Sequence, residues 1–593
     1  MAEATLADRA AVPAPLIKAK VGRDEWTMRA FMVLIGLYLV ATLALPLWAM
    51  LSKSFQNGAG EFVGLANYLH YFGTPALSYS IHNSFFVSIV STLITVPLAF
   101  VYAYALTRSC LPLKGLFKTI ALVPILVPSM LPGIALVYLF GNQGMIKALI
   151  FGYPIYGPIG IVMAEVFFTF PHALLIVVTA LALTDARLYE AAIALRASRR
   201  RIFFTVTLPG ARYGLISAVF VVFTMVITDF GAPKIIGGKF SVMATEIYDQ
   251  VVGQQNFTMG ATVSVVLLIP ALAAFVVDRL VQRRQYALIS SSAKPLEPRK
   301  NPLAEWSLSV YCFLIAASIV GIYLVILVVS LVERWPYRLS PSLKHYSFDT
   351  VGVWTTLVDG VYVYTPLLNS IYVSALTAVV GTAIAFIGAY LVEKCRTRAS
   401  VPLYMLSLLP VSIPGMVLGL AYIFTFNVSG SILNRLYGTL TILIISNLIH
   451  YFTVPFLTAT TSLKQMDAEF ENVGASMGVP FYKTFWRVTV PIALPSIIAI
   501  SMYFFLNAMV TLSAVVFLVA PGTELAAVAV LLMDDAGDTA QAAALSVLII
   551  AVGLLVRVVY WWLMRGTTRR TQAWTATAVT ADQVAMMGTG SLK

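Results

Sequence analysis

The sequence predicts an all-α polytopic membrane protein whose twelve transmembrane helices form two parallel six-helix repeats. Three observations predict this class: long apolar runs, an uneven division of basic residues between alternate loops, and an internal duplication. The 593 residues are 59% hydrophobic and 11% charged, whereas a soluble globular chain has about 25% charged residues. Most of the chain is therefore expected to lie in lipid.

Twelve apolar runs reach the roughly 20 residues that a transmembrane helix needs. Proline and glycine inside several runs do not exclude a span, because neighbouring helices can satisfy the freed backbone groups. The first run follows a charged segment and no small-residue cleavage site comes after it, so we expect a retained helix rather than a removed signal peptide. The predicted spans are 29–51, 82–106, 116–142, 157–183, 212–232, 259–281, 306–332, 365–392, 402–426, 437–460, 491–518 and 540–564.

The 39 Lys and Arg residues are divided unevenly between alternate loops. Eight lie on one side of the predicted membrane, and the other 31 lie on the side of the two termini. Because cytoplasmic loops carry an excess of Lys and Arg, both termini are predicted to be cytoplasmic. The net charge of +13 follows from this topology, so no nucleic-acid partner is predicted. The eight are Lys53, Lys147, Lys234, Lys239, Arg334, Arg338, Lys344 and Arg435.

The chain repeats itself. "LVPILVPSMLPGIALVYLF" at 122–140 matches "LLPVSIPGMVLGLAYIFTF" at 408–426 with an offset of 286 residues. Downstream, "VTLPGA" at 206–211 matches "VTVPIA" at 488–493 with an offset of 282. Each half holds six predicted spans, an even number, so both halves face the same way about an axis along the membrane normal. The paired residues at offset 286 are Asn83 and Asn369, Pro124 and Pro410, Pro128 and Pro414, and Gly133 and Gly419.

The repeat sets the domain boundaries. Residues 1–28 are predicted to be a cytoplasmic N-terminal segment, followed by a first six-span half at 29–281 and a second at 306–564. The Ser, Pro and charged residues of 282–305 are typical of an exposed linker. The Thr-, Ala- and Gly-rich tail at 565–593 is predicted to be cytoplasmic and disordered.

One loop in each half carries a related motif. "EAAIALRASRRRIFFTVTLPG" at 190–210 lies between predicted spans four and five, and "ENVGASMGVPFYKTFWRVTVP" at 471–491 is its counterpart. Residues 188–195 can form a short helix with Thr184 or Asp185 as N-cap. A glycine suits the seventh motif position, where the chain reverses, and a proline is tolerated in the first turn of the next span. We expect a compact helix–turn–helix that docks on another protein, or else an interfacial loop whose arginines contact anionic lipid heads.

Both motifs resemble the cytoplasmic EAA loop of ATP-binding-cassette (ABC) importer permeases: Glu-Ala-Ala, three residues, Gly, nine residues, an apolar residue, one more, then Leu-Pro. Arg196 stands at the glycine position of the first copy, and we expect it to alter that turn because a bulky residue at positive φ is unfavourable. The first copy matches at Glu190, Ala191, Ala192, Val206, Leu208 and Pro209. The second copy matches at Gly478 and Pro491, with Asn472 at the Glu position, Val473 and Gly474 replacing Ala-Ala, and Glu471 one place earlier.

The resemblance implies the type I permease fold of an ABC importer in a bacterial inner membrane, with one fused chain where many relatives use two. It also implies two cytoplasmic ATPase subunits docked at 184–210 and 464–490, which we call loop A and loop B, and a periplasmic solute-binding protein. The sequence has no Gly-x-x-x-x-Gly-Lys-Ser/Thr phosphate loop or HExxH pattern. Its Gly-x-Ser-x-Gly stretch at 474–478 belongs to the second loop motif and is not interpreted as a nucleophile elbow. We therefore expect a transport protein rather than an enzyme, without a cofactor of its own, and with ATP and Mg used by the ATPases.

Charged groups inside spans are costly and mark functional candidates. Glu165 in span four and Asp229 at the outer end of span five are candidates for the substrate path, with Asn507 in span eleven. The alternatives are a helix–helix hydrogen bond for Glu165 and a loop charge for Asp229. The acidic run of Asp534, Asp535 and Asp538 is interpreted as a solvated loop, with contact to a periplasmic partner as the alternative.

No metal site or disulfide framework is predicted. His172 and His450 have no second His, Cys or carboxylate at i+3 or i+4, so each is interpreted as a packed histidine. Cys110, Cys312 and Cys395 form no close pair and lack metal-ligand spacing.

The substrate is suggested by a further resemblance. "DFGAPKIIGGKFSVMATEIYDQVVGQQNFTMGA" at 229–261 and "VDRLVQRRQ" at 277–285 are similar to permeases for 2-aminoethylphosphonate. A phosphonate needs cations such as Lys234 and Lys239, and its amine needs a carboxylate. Fused permeases of this kind also serve ferric iron and thiamine, which are the alternatives. An ion-coupled secondary transporter is the alternative of another class, but it would leave the paired loop motif unexplained.

Overall fold

The helices account for the predicted spans. The computed structural model describes residues 22–182, 184–286, 296, 298, 300–346, 364–395, 399–467 and 469–571. Within these ranges, nine straight helices are long and apolar enough to cross a membrane, and three bent helix pairs bring the number up to twelve if each pair is one span. The predicted class, a helical polytopic membrane protein, is confirmed.

The first half of the chain is helical from the end of its N-terminal segment to the start of the linker. Its α-helices are α1 Arg23–Leu39, α2 Leu45–Lys53, α3 Ala66–Gly73, α4 Pro75–Arg108, α5 Lys114–Ala121, α6 Met130–Phe140, α7 Pro158–Ala182, α8 Ala186–Ala194, α9 Arg199–Ile202, α10 Leu208–Thr228, α11 Gly231–Ile236, α12 Met243–Tyr248 and α13 Phe257–Tyr286. A π-helical turn, Val40–Ala44, joins α1 to α2 in one continuous span.

The second half repeats this order. Its α-helices are α14 Pro302–Ser330, α15 Tyr364–Cys395, α16 Ser400–Leu408, α17 Gly415–Phe426, α18 Leu440–His450, α19 Thr453–Lys464, α20 Glu469–Ser476, α21 Phe481–Thr484, α22 Val490–Val510, α23 Ala526–Asp535 and α24 Thr539–Thr571. Two strands, β1 Val332–Arg334 and β2 Arg338–Pro341, form an antiparallel hairpin directly after α14. The sequence predicted that this span would run to 332.

The third span of each half is sharply bent where a single straight helix was predicted. The second half has a further bend of 53° between Leu440–His450 and Thr453–Lys464, whereas its counterpart in the first half, α7, is a single helix. Lys114–Leu126 and Met130–Phe140 meet at 100°, and Ser400–Ser412 and Gly415–Phe426 meet at 112°. The breaks fall at Pro128 and Pro414, whose ring nitrogens cannot donate the hydrogen bond that a continuous helix requires. The duplication therefore extends to the shape of these spans.

The fifth span of each half begins earlier than predicted. Helices Arg199–Thr228 and Phe481–Val510 replace the predicted spans 212–232 and 491–518, because the second short helix of each loop runs directly into the span. The junction is a π-helical turn in both halves, Phe203–Thr207 and Phe485–Thr489. This wide turn lies immediately before the proline, which has no N–H for a regular i→i−4 hydrogen bond.

The first helix of each half packs against the other half. Helices α1 and α2 lie against α15, α16 and α17, while α14 lies against α4, α5 and α6. Tyr422 Oη donates to Thr42 O at 2.8 Å, and Tyr311 Oη donates to Leu98 O at 2.8 Å. The predicted halves, 29–281 and 306–564, are thus continuous in sequence but interleaved in space.

Matching side-chain contacts relate the two halves. Asn83 Nδ2 donates to Ser241 O at 2.9 Å, and Asn369 Nδ2 donates to Glu524 O at 3.2 Å. The next residue in each half, Ser84 or Ser370, accepts a backbone N–H that belongs to the start of α12 or α23, at 2.8 and 2.7 Å. The offset of 286 residues found in the sequence therefore connects structurally equivalent positions.

Three predictions lie largely outside the described residues. The N-terminal segment at 1–28 is described only from residue 22, and the linker at 282–305 lacks 287–295, 297 and 299. The tail at 565–593 is described only to residue 571, where α24 ends.

Candidate coupling loops and polar centre

Loop A forms the predicted helix–turn–helix. Helix α8 begins after Asp185, whose side chain accepts from Arg187 N at 3.1 Å, so Asp185 is the N-cap. The helix is closed by a hydrogen bond from Ala197 N to Ala192 O at 3.0 Å. Within the turn that this hydrogen bond closes, the backbone of Arg196 has the left-handed conformation, with φ of 54°.

Loop B makes the same turn. Val479 N donates to Gly474 O at 2.9 Å, and Gly478 has φ of 68°. The expectation that Arg196 alters the turn of loop A is wrong, because Arg196 adopts the conformation that Gly478 adopts. Its side chain is exposed, and the backbone strain of about 1–2 kcal/mol is small enough for the turn's hydrogen bonds to offset.

Both loops expose apolar side chains beside this turn. Leu195 is 82% exposed and Met477, its counterpart at offset 282, is 73% exposed. A groove of about 750 Å³ runs along loop B. Contiguous exposed apolar surface marks interaction sites on proteins. Leu195 and Met477 were missed from the sequence, although the offset of 282 aligns them. Further exposed apolar residues of the loops are Leu188, Ile193, Phe204, Phe470, Val473, Tyr482 and Trp486.

Some of the predicted coupling residues are exposed, and the others are half-buried. Gly474 allows the two short helices of loop B to approach closely, since a side chain there would lie 2.9 Å from Thr484 Oγ1. The exposed members are Glu190, Ala191, Arg196, Pro209, Asn472, Gly478 and Pro491. The half-buried members are Ala192, Leu208, Glu471 and Gly474.

Glu471 is directed towards the spans. Its Oε2 lies 3.1 Å from Lys394 Nζ at the end of α15. The equivalent pair in the first half is Tyr189 and Arg108, whose guanidinium lies over the tyrosine ring at 5.1 Å. Glu471 therefore corresponds to Tyr189 and anchors the loop to the bundle. The position equivalent to Glu190 is Asn472, one residue later.

Two of the predicted path residues come together. Glu165 in α7 is fully buried and lies within hydrogen-bonding reach of the Asp229 carboxyl group, while no N–H or hydroxyl group of the described residues donates to it. Asp229 is its electrostatic neighbour, and Asp229 Oδ2 accepts from Ala232 N at 2.9 Å at the start of α11. The third candidate, Asn507, lies in α22 of the other half and donates to Tyr503 O at 2.8 Å within its own helix.

The equivalent place in the second half is polar but uncharged. At offset 282, Asn447 replaces Glu165 and Thr511 replaces Asp229. Asn447 is fully buried, and its Oδ1 has no hydrogen-bond partner among the described residues. Thr511 Oγ1 donates to Tyr451 Oη at 2.9 Å. The two halves thus share a buried polar position, and only the first half carries acids there.

At the end of the bundle opposite loops A and B, side chains join the two halves. Lys234 Nζ lies 3.9 Å from Asp535 Oδ2 and 5.0 Å from the centre of the Tyr248 ring. Tyr248 stacks on Phe517 of the second half at 6.0 Å. Burial raises the pKa of Asp249, and the Lys234 charge partly offsets this rise. Asp535 is therefore part of a contact between the halves and not only a solvated loop residue.

Replacing Asp534 by asparagine is expected to weaken the pH dependence of stability. Burial, with a contribution from Asp535, raises the pKa of Asp534 to about 6, above the unfolded value of about 3.9. The folded protein thus binds this proton more tightly, so the stability it contributes is full below about pH 4 and lost as the pH rises through about 6. Asp534→Asn should reduce the fall in Tm between pH 5 and pH 7.5 in detergent. An identical fall in both proteins would contradict the assignment.

Residues 95–286 match the family model described as "Binding-protein-dependent transport system inner membrane component". This segment includes loop A, the first bent span and the acidic pair. This segment of the chain is similar to that family. Loop B and the second bent span lie outside the matched segment, but they repeat the geometry of the first half.

Curated relatives extend the match to both halves of the permease. The ferric transport system permease protein FbpB of Actinobacillus pleuropneumoniae is 26% identical over 510 residues, which are 83% of this chain and 71% of that protein. The Fe(3+)-transport system permease protein FbpB 2 of Haemophilus influenzae is 23% identical over 524 residues, 88% of this chain and 95% of that protein. The putative 2-aminoethylphosphonate permease PhnV of Salmonella paratyphi A is 29% identical over 154 residues, 26% of this chain and 57% of that protein.

Proposed function

We propose that the permease forms the translocation path of an ABC importer for ferric iron, with both termini in the cytoplasm. The observation that carries the cargo assignment is the extent of the matches. The two ferric permeases align over 510 and 524 residues and so include both halves. The phosphonate permease aligns over 154 residues. The 2-aminoethylphosphonate interpretation of the sequence therefore becomes the second candidate.

The proposed energy source is a pair of ATPase subunits, one on loop A and one on loop B. The equivalent exposed positions of Leu195 and Met477 support two related docking sites. Glu190 lies exposed on the same loop as Leu195. ATP and Mg would be bound by the ATPases, and a periplasmic binding protein would deliver the solute at the opposite end. Closure of the ATPase dimer would move both loops, and each loop continues into a span through its π-helical turn.

The proposed substrate contacts are Glu165 and Asp229, with Asn507 from the other half. Carboxylate and amide oxygens are the ligands that hard cations take from proteins. Two acids without a neighbouring cation side chain in their described surroundings suit a cationic cargo better than an anionic one. Lys234, one of the two lysines considered for a phosphonate, is already paired with Asp535.

The cargo is tested by competition in cells. A strain without its own ferric and phosphonate importers would express the permease with a candidate ATPase and a candidate binding protein from the same organism. Uptake of radioactive ferric iron should then depend on the permease and resist excess 2-aminoethylphosphonate. Uptake of labelled 2-aminoethylphosphonate that resists excess ferric iron would establish the second candidate instead.

Glu165→Gln tests the path in the same strain. This change keeps the shape of the side chain and removes its charge, so ferric uptake should fall by at least tenfold, or about 1.4 kcal/mol. Glu246→Gln is the matched control, because Glu246 is also buried but accepts from Gln250 at 2.9 Å. Equal uptake in both variants would show that Glu165 lies outside the path.

A further inference from the structure

The second short helix begins differently in loops A and B. In loop A, Ser198 is the N-cap of α9, and its Oγ accepts from Arg201 N at 3.3 Å. In loop B the equivalent position at offset 282 is Pro480, which precedes α21. Proline has no side-chain acceptor, so α21 cannot be capped from its own N-cap residue.

A residue from the far end of the sequence instead supplies an acceptor for the first N–H of α21. Phe481 N donates to Asp24 Oδ2 at 3.0 Å across 457 positions of the chain. Asp24 lies in the first turn of α1, the helix that packs against α15 and α16 of the second half. A negative side chain at a helix N-terminus is favourable, because the first N–H groups have no partner within the helix.

The equivalent contact is missing from the described part of the first half. Helix α14 takes the place of α1 in the second half, and its first-turn acid is Glu305. Glu305 Oε1 accepts from Asn301 N at 2.8 Å and so caps its own helix. Loop A is therefore capped from within, whereas loop B is tied to the first span of the chain.

We propose that Asp24 is a positioning residue that couples loop B to α1, so that movement of loop B carries the first span with it. The inference rests on the proposed role of loop B as an ATPase contact. Ile35 of α1 packs on Gly388 of α15, where a side chain would lie 3.7 Å from Ile35 Cδ1. Helix α1 is thus held against the spans of the second half at one point and against loop B at another.

Hydrogen exchange on the permease alone tests the cap. Asp24→Ala should increase exchange at Phe481 by about fivefold, which corresponds to the ~1 kcal/mol of an N-cap. Asp24→Glu should retain most of the protection. Asp24→Ala combined with Pro480→Ser should leave exchange at Phe481 fast but protect Lys483, because a serine hydroxyl at the N-cap of α21 would accept the N–H three residues on, as Ser198 accepts from Arg201 N in α9. Unchanged exchange in Asp24→Ala would overturn the proposal.

Transport by the assembled importer tests whether the hydrogen bond between Asp24 and Phe481 N does more than cap a helix. In the double variant, loop B is capped but no longer joined to α1. We therefore expect protection of the Lys483 N–H together with more ATP hydrolysed per solute transported than in the wild type. Recovery of the wild-type ratio of ATP to solute in the double variant would show that Asp24 is only a cap and would overturn the coupling role. Ser198→Ala is the matched control, because it removes the cap of loop A and leaves the tie of loop B intact.

These measurements distinguish failure of the proposed transport function from failure of the proposed role of Asp24. The exchange measurement needs no partner, so it reports on Asp24 whether or not the permease binds ATPases. If the wild-type assembly shows no ATP-dependent transport, the proposed function fails. If the wild type transports and Asp24→Ala transports with the same ratio of solute to ATP, the inference about Asp24 fails alone.

Discussion

Replacing Gly231 by serine is expected to destabilise the folded protein, and adding Ser129→Gly is expected to restore its stability. A side chain at 231 would overlap Ser129 Oγ and lie 3.0 Å from Met130 N. In the second half the pair is reversed: Gly415 takes the place of Ser129, and Ser513 takes the place of Gly231. A side chain at 415 would overlap Ser513 Oγ. Each half therefore keeps one glycine and one serine at this contact.

The yield and Tm of detergent-purified protein measure this effect. Overpacking costs about 1–3 kcal/mol, and more where backbone lies in the way. The mirror experiment is Gly415→Ser with rescue by Ser513→Gly. Ser129→Gly alone is the control and should fold, because it introduces no overlap, although it removes the hydroxyl that hydrogen-bonds to Asp229. A Gly231→Ser variant with the Tm of the wild type, or a double variant no better than the single, would contradict the account.

Leu195→Asp and Met477→Asp are expected to abolish ATPase binding at loops A and B respectively. A charge placed in an apolar contact centre costs at least about 2 kcal/mol, or about thirtyfold in Kd. Neither change should affect folding, because both side chains are exposed. Binding of the purified ATPase to detergent-solubilised permease is the measurement.

The control for these variants is Tyr337→Asp in the hairpin turn. Tyr337 is 72% exposed but lies between β1 and β2, away from both loops. It should leave ATPase binding unchanged, and the Leu195→Asp, Met477→Asp double variant should bind no ATPase. Full binding by the double variant would place the docking site elsewhere.

Hydropathy and the duplication were sufficient to predict the helical class and the approximate positions of the spans, because lipid imposes a length and a composition on each helix. They could not predict which helices are neighbours. The exchange of α1 and α14 between halves depends on packing between residues such as Tyr422 and Thr42, which are 380 positions apart. The position of a proline was also insufficient to predict a bend. Pro171 lies within the straight helix α7, whereas Pro414 lies at a bend of 112°.

The functional groups were predicted unevenly for the same reason. Glu165 and Asp229 were visible as acids in apolar surroundings, but only the fold brings them together across 64 positions of the chain. Arg196 was misjudged because residue preference at positive φ was weighed without the hydrogen bonds that fix the turn. Asp24 gave no signal at all, since an exposed acid near a terminus looks the same whether or not a distant N–H meets it.

ATP-dependent uptake by proteoliposomes tests the central claim most directly. The permease would be reconstituted with its ATPase and binding protein, and ferric iron uptake would be measured with ATP on the side of loops A and B. We expect uptake only when the ATPase, the binding protein and ATP are all present. Uptake by the permease alone, driven by an ion gradient without any ATPase, would contradict the account and identify a secondary transporter.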